Sequence, residues 1–123
     1  MSKQILFVDG DQTIMEAVKT MLGEMGCQVQ METSGMEALT VFSNDPGRYD
    51  LIITDLGMPD ISGLRLAERF LRLRGDIPIL LLTGADGEKL SKDRNTGIRW
   101  FGMKPISIAA LAETVKSALA EVA

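Results

Sequence analysis

Polar residues able to do chemistry stand at the points where apolar runs stop. QILFV leads into Asp9-Gly10-Asp11, LIIT into Asp55, ILLL into Thr83-Gly84, and IRWFGM into Lys104-Pro105. If the runs are strands of one parallel sheet, their carboxyl ends share an edge, where open α/β sheets bind ligands. Three carboxylates brought together there repel one another and are costly to keep ionised. A divalent cation and a lysine relieve that repulsion, and all-oxygen donors select Mg²⁺ or another hard cation. With Mg²⁺ on one side and Lys104 on the other, one carboxylate could attack phosphorus. The cations would stabilise charge on the equatorial oxygens during in-line transfer. The Thr83 hydroxyl could hydrogen-bond a transferred phosphoryl oxygen, and Gly84 beside it leaves room for the group.

Taken singly, each residue has a plainer role. An acid after a strand is commonly a solvated turn residue or a helix cap. Asp11 before Gln12-Thr13 also reads as an N-cap. Thr83 could cap the segment that follows it, and Lys104 could be a surface lysine. Their joint placement, at the ends of separate strands, is what carries weight.

The elements that must position these residues follow from apolar spacing. Residues 4–9 form a short strand. Residues 12–25 carry Ile14, Ala17, Val18, Met21, Leu22 and Met25 at helical spacing, and Gly26 stops that helix. Residues 27–32 alternate apolar and polar, as in a strand with one wetter face near a sheet edge. A second helix spans 34–45 and ends at the turn Asn44-Asp45-Pro46-Gly47. The strand 50–55 is apolar throughout, which suits burial on both faces. A helix over 63–74 follows, with Arg65, Arg69 and Arg72 on its outer side. The remaining elements are a strand at 77–82, a polar segment at 85–96, a strand at 98–103 and an amphipathic helix at 106–122. The segment 85–96 should be a short, poorly anchored helix, since Leu90 is its one large apolar residue. Strands alternating with helices five times imply one α/β domain over 1–123. It is a doubly wound five-stranded parallel sheet with helices on both faces and right-handed crossovers.

Composition removes several classes of function. The net charge of −4 argues against direct nucleic-acid binding, which needs a basic surface. No apolar run approaches the length of a membrane span, and the opening MSKQILFVDG reads as a strand rather than a signal peptide. The single cysteine, Cys27, excludes an internal disulfide and is expected to be buried packing. A cytoplasmic location fits this.

The pieces LFVDGD, LIITDLGMPDISG, LLLTG and MKP together resemble the receiver domain of bacterial response regulators, across essentially the whole chain. The resemblance implies a (βα)5 flavodoxin-like sheet of strand order 2-1-3-4-5. It implies that Asp55 accepts a phosphoryl group from phosphohistidine on a sensor histidine kinase or phosphotransfer protein, and then signals to a downstream protein or output domain. The domain is then an acceptor, with autodephosphorylation, rather than an enzyme in the usual sense. Lys104 would pair with the phosphoryl group, through a cis bond to Pro105. Thr83 and Phe101 would be the switch pair, and Mg²⁺ would sit on Asp9, Asp55 and the Gly57 carbonyl.

One departure bears on the metal. The family carries two consecutive acids where this chain has Asp9-Gly10. Either Asp11 bends in as the replacement, with Gly10 supplying backbone freedom, or Mg²⁺ binds weakly. The polar segment 85–96 is a second departure, on the face where the family commonly engages partners, and Trp100 there is either an exposed anchor or simply cover for a helix. Two rivals remain open. One is a receiver-like interaction module that no longer takes phosphate. The other reads DGDQT as the start of a haloacid-dehalogenase-like phosphatase with Asp9 as nucleophile and Asp11 as general acid. The latter lacks a later acidic motif and leaves Asp55 unexplained.

Overall fold

A computed structural model describes residues 2–84 and 92–121. Its elements are β1 (Gln4–Val8), α1 (Gln12–Glu24), β2 (Gln28–Glu32), α2 (Gly35–Asn44), β3 (Leu51–Asp55), α3 (Gly63–Leu73), β4 (Ile79–Thr83), β5 (Trp100–Met103) and α4 (Ile108–Ala120). Short 3-10 turns lie at Pro46–Arg48 and Arg94–Thr96. The five strands are parallel and run in the order β2-β1-β3-β4-β5.

The alternation of side chains along each strand divides the core in two. Leu6, Val8, Ile52, Ile79 and Leu81 pack under α2 and α3, where Ala38, Phe42, Leu66, Ala67 and Phe70 meet them. Ile5, Phe7, Leu51, Ile53, Leu80 and Leu82 face the other way, onto Met15, Val18 and Leu22 of α1 and Leu111 and Val115 of α4. The inner strands are therefore covered on both faces, which is why they read as continuous apolar runs. Edge strand β2 is half-exposed and keeps its alternating glutamines and glutamate.

The helices begin on side-chain caps. Asp11, Ser34, Ser62 and Ser107 accept from the N–H groups of Thr13, Glu37, Arg65 and Ala110. Each satisfies a donor that has no partner within the helix. Two details differ from the sequence reading, and a third is mostly out of view. The last strand begins at Trp100 rather than at residue 98. Cys27 is half-buried rather than buried, and burial, then Asp50, raises its thiol pKa. Most of the helix expected over 85–96 lies outside the described residues; the end that is described is the 3-10 turn Arg94–Thr96, capped by Asp93 and closed by Gly97 in the left-handed region.

Candidate functional site

The carboxyl ends of β1, β3 and β5 meet at a cavity of about 690 Å³. Asp9, Gly10, Asp11, Gln12, Asp55, Gly57, Pro59 and Lys104 line it. The sheet register explains the meeting of the acids. Val8 pairs with Thr54, so Asp9 and Asp55, each one residue further on, leave adjacent strands side by side. Lys104 arrives from beyond β5, where its N–H donates to the Thr83 carbonyl at 2.6 Å. The Lys104–Pro105 peptide is cis.

The Lys104 ammonium sits between the two acids, 3.2 Å from Asp9 Oδ2 and 3.1 Å from Asp55 Oδ2. The second oxygen of each acid takes a backbone donor. Asp9 Oδ1 accepts from Asp11 N–H at 2.9 Å, and Asp55 Oδ1 from Gly57 N–H at 3.3 Å. The side chains are 1%, 16% and 27% exposed for Asp9, Asp55 and Lys104, so screening by water is weakest at Asp9. Burial is the largest single influence on Lys104 and lowers its pKa. The hydrogen bond to Asp55 and the charges of Asp9 and Asp55 outweigh it, and the pKa is raised overall. The lysine is therefore held as a cation between its two acids.

Glycine is required where α3 starts. A Cβ on Gly63 would lie 2.2 Å from the Asp55 carbonyl oxygen, because the chain folds straight back over the strand end. Gly10 is a different case. Its φ is not in the left-handed region, and among the described residues a Cβ there would meet only Pro59 Cδ at 3.7 Å, an ordinary contact. The backbone does not demand glycine at that position.

Not every residue singled out in the sequence joins the cavity wall. Asp11 lines it, but its Oδ1 is used to cap α1 through Thr13 N–H at 3.0 Å. Among the described residues, no three acidic, histidine or cysteine side chains gather as a metal-binding group. Thr83 is buried, is not among the lining residues, and its Oγ1 has no hydrogen-bond partner among the described residues. Phe101 is half-buried against the α2–α3 side of the core. Trp100 is half-buried against the α1–α4 side, with the Arg99 guanidinium 4.9 Å from the centre of its ring.

Sequence reasoning passed over Asp60. This carboxylate accepts from Ser34 Oγ at 2.8 Å, Gly35 N–H at 3.1 Å and Met36 N–H at 3.0 Å, and so ties the β3–α3 loop to the start of α2. The signal available was an acid in the turn after Met58-Pro59, with nothing to name a partner some 25 residues away.

The chain matches the family model described as response regulator receiver domain over residues 5–116, and it belongs to that family. It is thus a phosphoacceptor receiver domain of two-component signalling. It is 35% identical over 86 residues to the response regulator MprA of Mycobacterium bovis, covering 70% of this chain and 36% of that protein. It is 28% identical over 114 residues to Ethylene receptor 2 of Oryza sativa subsp. japonica, covering 89% of this chain and 15% of that one. The chain therefore spans only part of the curated relatives it matches. Among solved structures, a CheY-like receiver domain protein of Methanospirillum hungatei superposes with TM-score 0.88 at 29% identity, covering 99% of this chain and 97% of that one. The chemotaxis regulator CheY4 of Vibrio cholerae gives TM-score 0.83 at 27% identity, covering 97% and 100%. Among the described residues, no helix is long and apolar enough to cross a membrane.

Proposed function

We propose that residues 1–123 act as one receiver domain whose phosphoacceptor is Asp55. The observation that carries this is the Lys104 ammonium held between Asp9 and Asp55 at 3.2 and 3.1 Å. A carboxylate oxygen of Asp55 attacks phosphorus in line. An acyl phosphate O–P bond forms as the P–N bond of a donor phosphohistidine breaks, and the electron pair stays on the departing imidazole. Lys104 then pairs with the transferred oxygens, where a fixed cation stabilises the charge that develops during transfer. Thr83 Oγ1, buried and without a hydrogen-bond partner among the described residues, supplies a hydroxyl free to take up a phosphoryl oxygen, a bond worth about 1–3 kcal/mol to a buried donor. Its move toward the phosphoryl group and a rotamer change of Phe101 form the switch that a downstream partner or output domain reads.

The donor set suits a thinly held Mg²⁺. Asp9, Asp55 and the Gly57 carbonyl would hold it, and Mg²⁺ is commonly bound by one or two carboxylates with phosphate and water completing the shell. When bound, it neutralises the acids and the incoming phosphoryl oxygens. Asp11 remains a helix cap in this reading, and Gly10 leaves the site one carboxylate short. The donor is a sensor histidine kinase or phosphotransfer protein. The chain carries the group and loses it by hydrolysis rather than turning over a substrate. Cys27, alone and unable to form an internal disulfide, accords with a cytoplasmic location.

The test is to phosphorylate the protein, reduce the acyl phosphate with borohydride and map the peptides. Reduction should convert Asp55 to homoserine. Conversion of Asp9 instead would support the phosphatase-like reading and remove Asp55 from its role.

A further inference from the structure

The β3–α3 loop, residues 56–62, carries two walls of the acidic cavity, Gly57 and Pro59. Its two ends are pinned. Leu56 N–H donates to Leu82 O at 2.9 Å, and Gly63 N–H donates to Leu56 O at 2.8 Å. Its middle is held from outside, by α2. Asp60 receives Ser34 Oγ and the N–H groups of Gly35 and Met36, while Ser34 Oγ accepts from Glu37 N–H at 3.3 Å. The first three N–H groups of α2 are thus satisfied by two side chains, one of them belonging to the loop. Ile61 adds contact beside it, since a Cβ on buried Gly35 would lie 2.4 Å from Ile61 Cγ2.

We propose that Asp60 is a positioning residue for phosphoryl uptake: by capping α2 from the β3–α3 loop, it fixes Gly57 and Pro59 against Asp55. This rests on Asp55 being the acceptor. The carboxylate is exposed, yet its pKa is drawn down to about 2, chiefly by the Met36 N–H and the Ser34 hydroxyl, with Gly35 adding. It is therefore fully charged wherever the protein works. Freed of Asp60, the loop would keep its ends and lose its middle anchor. The Gly57 N–H, which touches Asp55 Oδ1, would then sample a range of positions, and small misplacements near reacting atoms are costly to rate.

The experiment compares the rate of phosphorylation by acetyl phosphate, at saturating Mg²⁺ and donor, among wild type, Asp60→Ala, Asp60→Asn and Val115→Ala. Val115 is buried in the α1–α4 side of the core, away from the loop, and its variant controls for lost stability. Asp60→Ala should react about tenfold more slowly. Asp60→Asn, whose amide oxygen can still take the Ser34 and Met36 donors while its NH2 faces the Gly35 N–H, should recover part of that loss, and Val115→Ala should keep the wild-type rate. A wild-type rate in Asp60→Ala, or equal slowing in Val115→Ala, would overturn the proposal. Hydrogen exchange at the mid-loop Gly57 amide gives a readout that needs no phosphodonor, and Asp60→Ala should speed it there while the Gly63 amide, at a pinned end, keeps its wild-type rate. Unchanged exchange overturns the positioning role on its own. Absence of phosphoryl uptake by the wild type would instead overturn Asp55 as acceptor, leaving exchange to decide the role of Asp60.

Discussion

Lys104 serves two acids at once, and that arrangement has consequences residue by residue. Its pKa is raised in the folded protein. Its stabilising contribution should be complete below the unfolded value of about 10.4 and be lost as pH rises through the higher folded value. Denaturant unfolding of wild type and Lys104→Ala should differ by a constant amount near neutral pH, and the difference should shrink in strong alkali. The variant should keep the fold while its phosphorylation by acetyl phosphate is impaired; unimpaired labelling would remove the lysine from the chemistry. Gly10 gives a second outcome. Space exists for a side chain there, since among the described residues a Cβ would meet only Pro59 Cδ, at 3.7 Å. Gly10→Asp should fold and tighten Mg²⁺ binding by about tenfold or more, since ligand charge sets affinity at such sites. Titration with Mg²⁺ followed by amide shifts of Gly57 reads this directly. Asp9, Asp55 and Lys104 were legible because each ends an apolar run. Whether Asp11 was ligand or cap was not legible, as both roles want an acid just before a helix. Asp60 was invisible because its partners, Ser34 to Met36, come from a different crossover.

At the level of elements, α2 and α3 are joined through aromatic rings. Phe42 and Phe70 are fully buried and meet edge to face at 5.1 Å. Phe70→Ala should cost about 3–5 kcal/mol in denaturant unfolding, through lost burial and the cavity left behind. The Asp60 cap adds a pH dependence to the same pair of helices. A carboxylate held near 2 stabilises the fold above its unfolded pKa of about 3.9, and that contribution fades as pH falls toward 2. The stability difference between wild type and Asp60→Ala should therefore be present at neutral pH and close in acid. Helix positions were legible from apolar spacing, to within about two residues, while the Ser34, Ser62 and Ser107 caps came only with the structure. The start of β5 was less so. Ile98 is apolar and buried, yet its N–H goes to Thr96 Oγ1 within the turn rather than into the sheet.

Across the whole molecule, two cores on opposite faces of one sheet hold the carboxyl ends of the strands in a fixed row. Continuous apolar runs announced buried parallel strands, so the fold class could be read from pattern alone. The order of strands could not, since nothing in an apolar run names its neighbour; that came with the resemblance to receiver domains. The rim of the sheet then collects Asp9, Asp55 and Lys104 from sequence positions nearly a hundred residues apart.

The most direct measurement is the intact mass of the folded protein after incubation with acetyl phosphate and abundant Mg²⁺, beside the Asp55→Asn variant. The expected result is a gain of one phosphoryl group in the wild type and none in the variant, which would establish a working receiver despite Gly10. No gain in the wild type would contradict the account and favour a receiver-like interaction module that does not take phosphate. An equal gain in both would contradict it differently, by moving the acceptor away from Asp55.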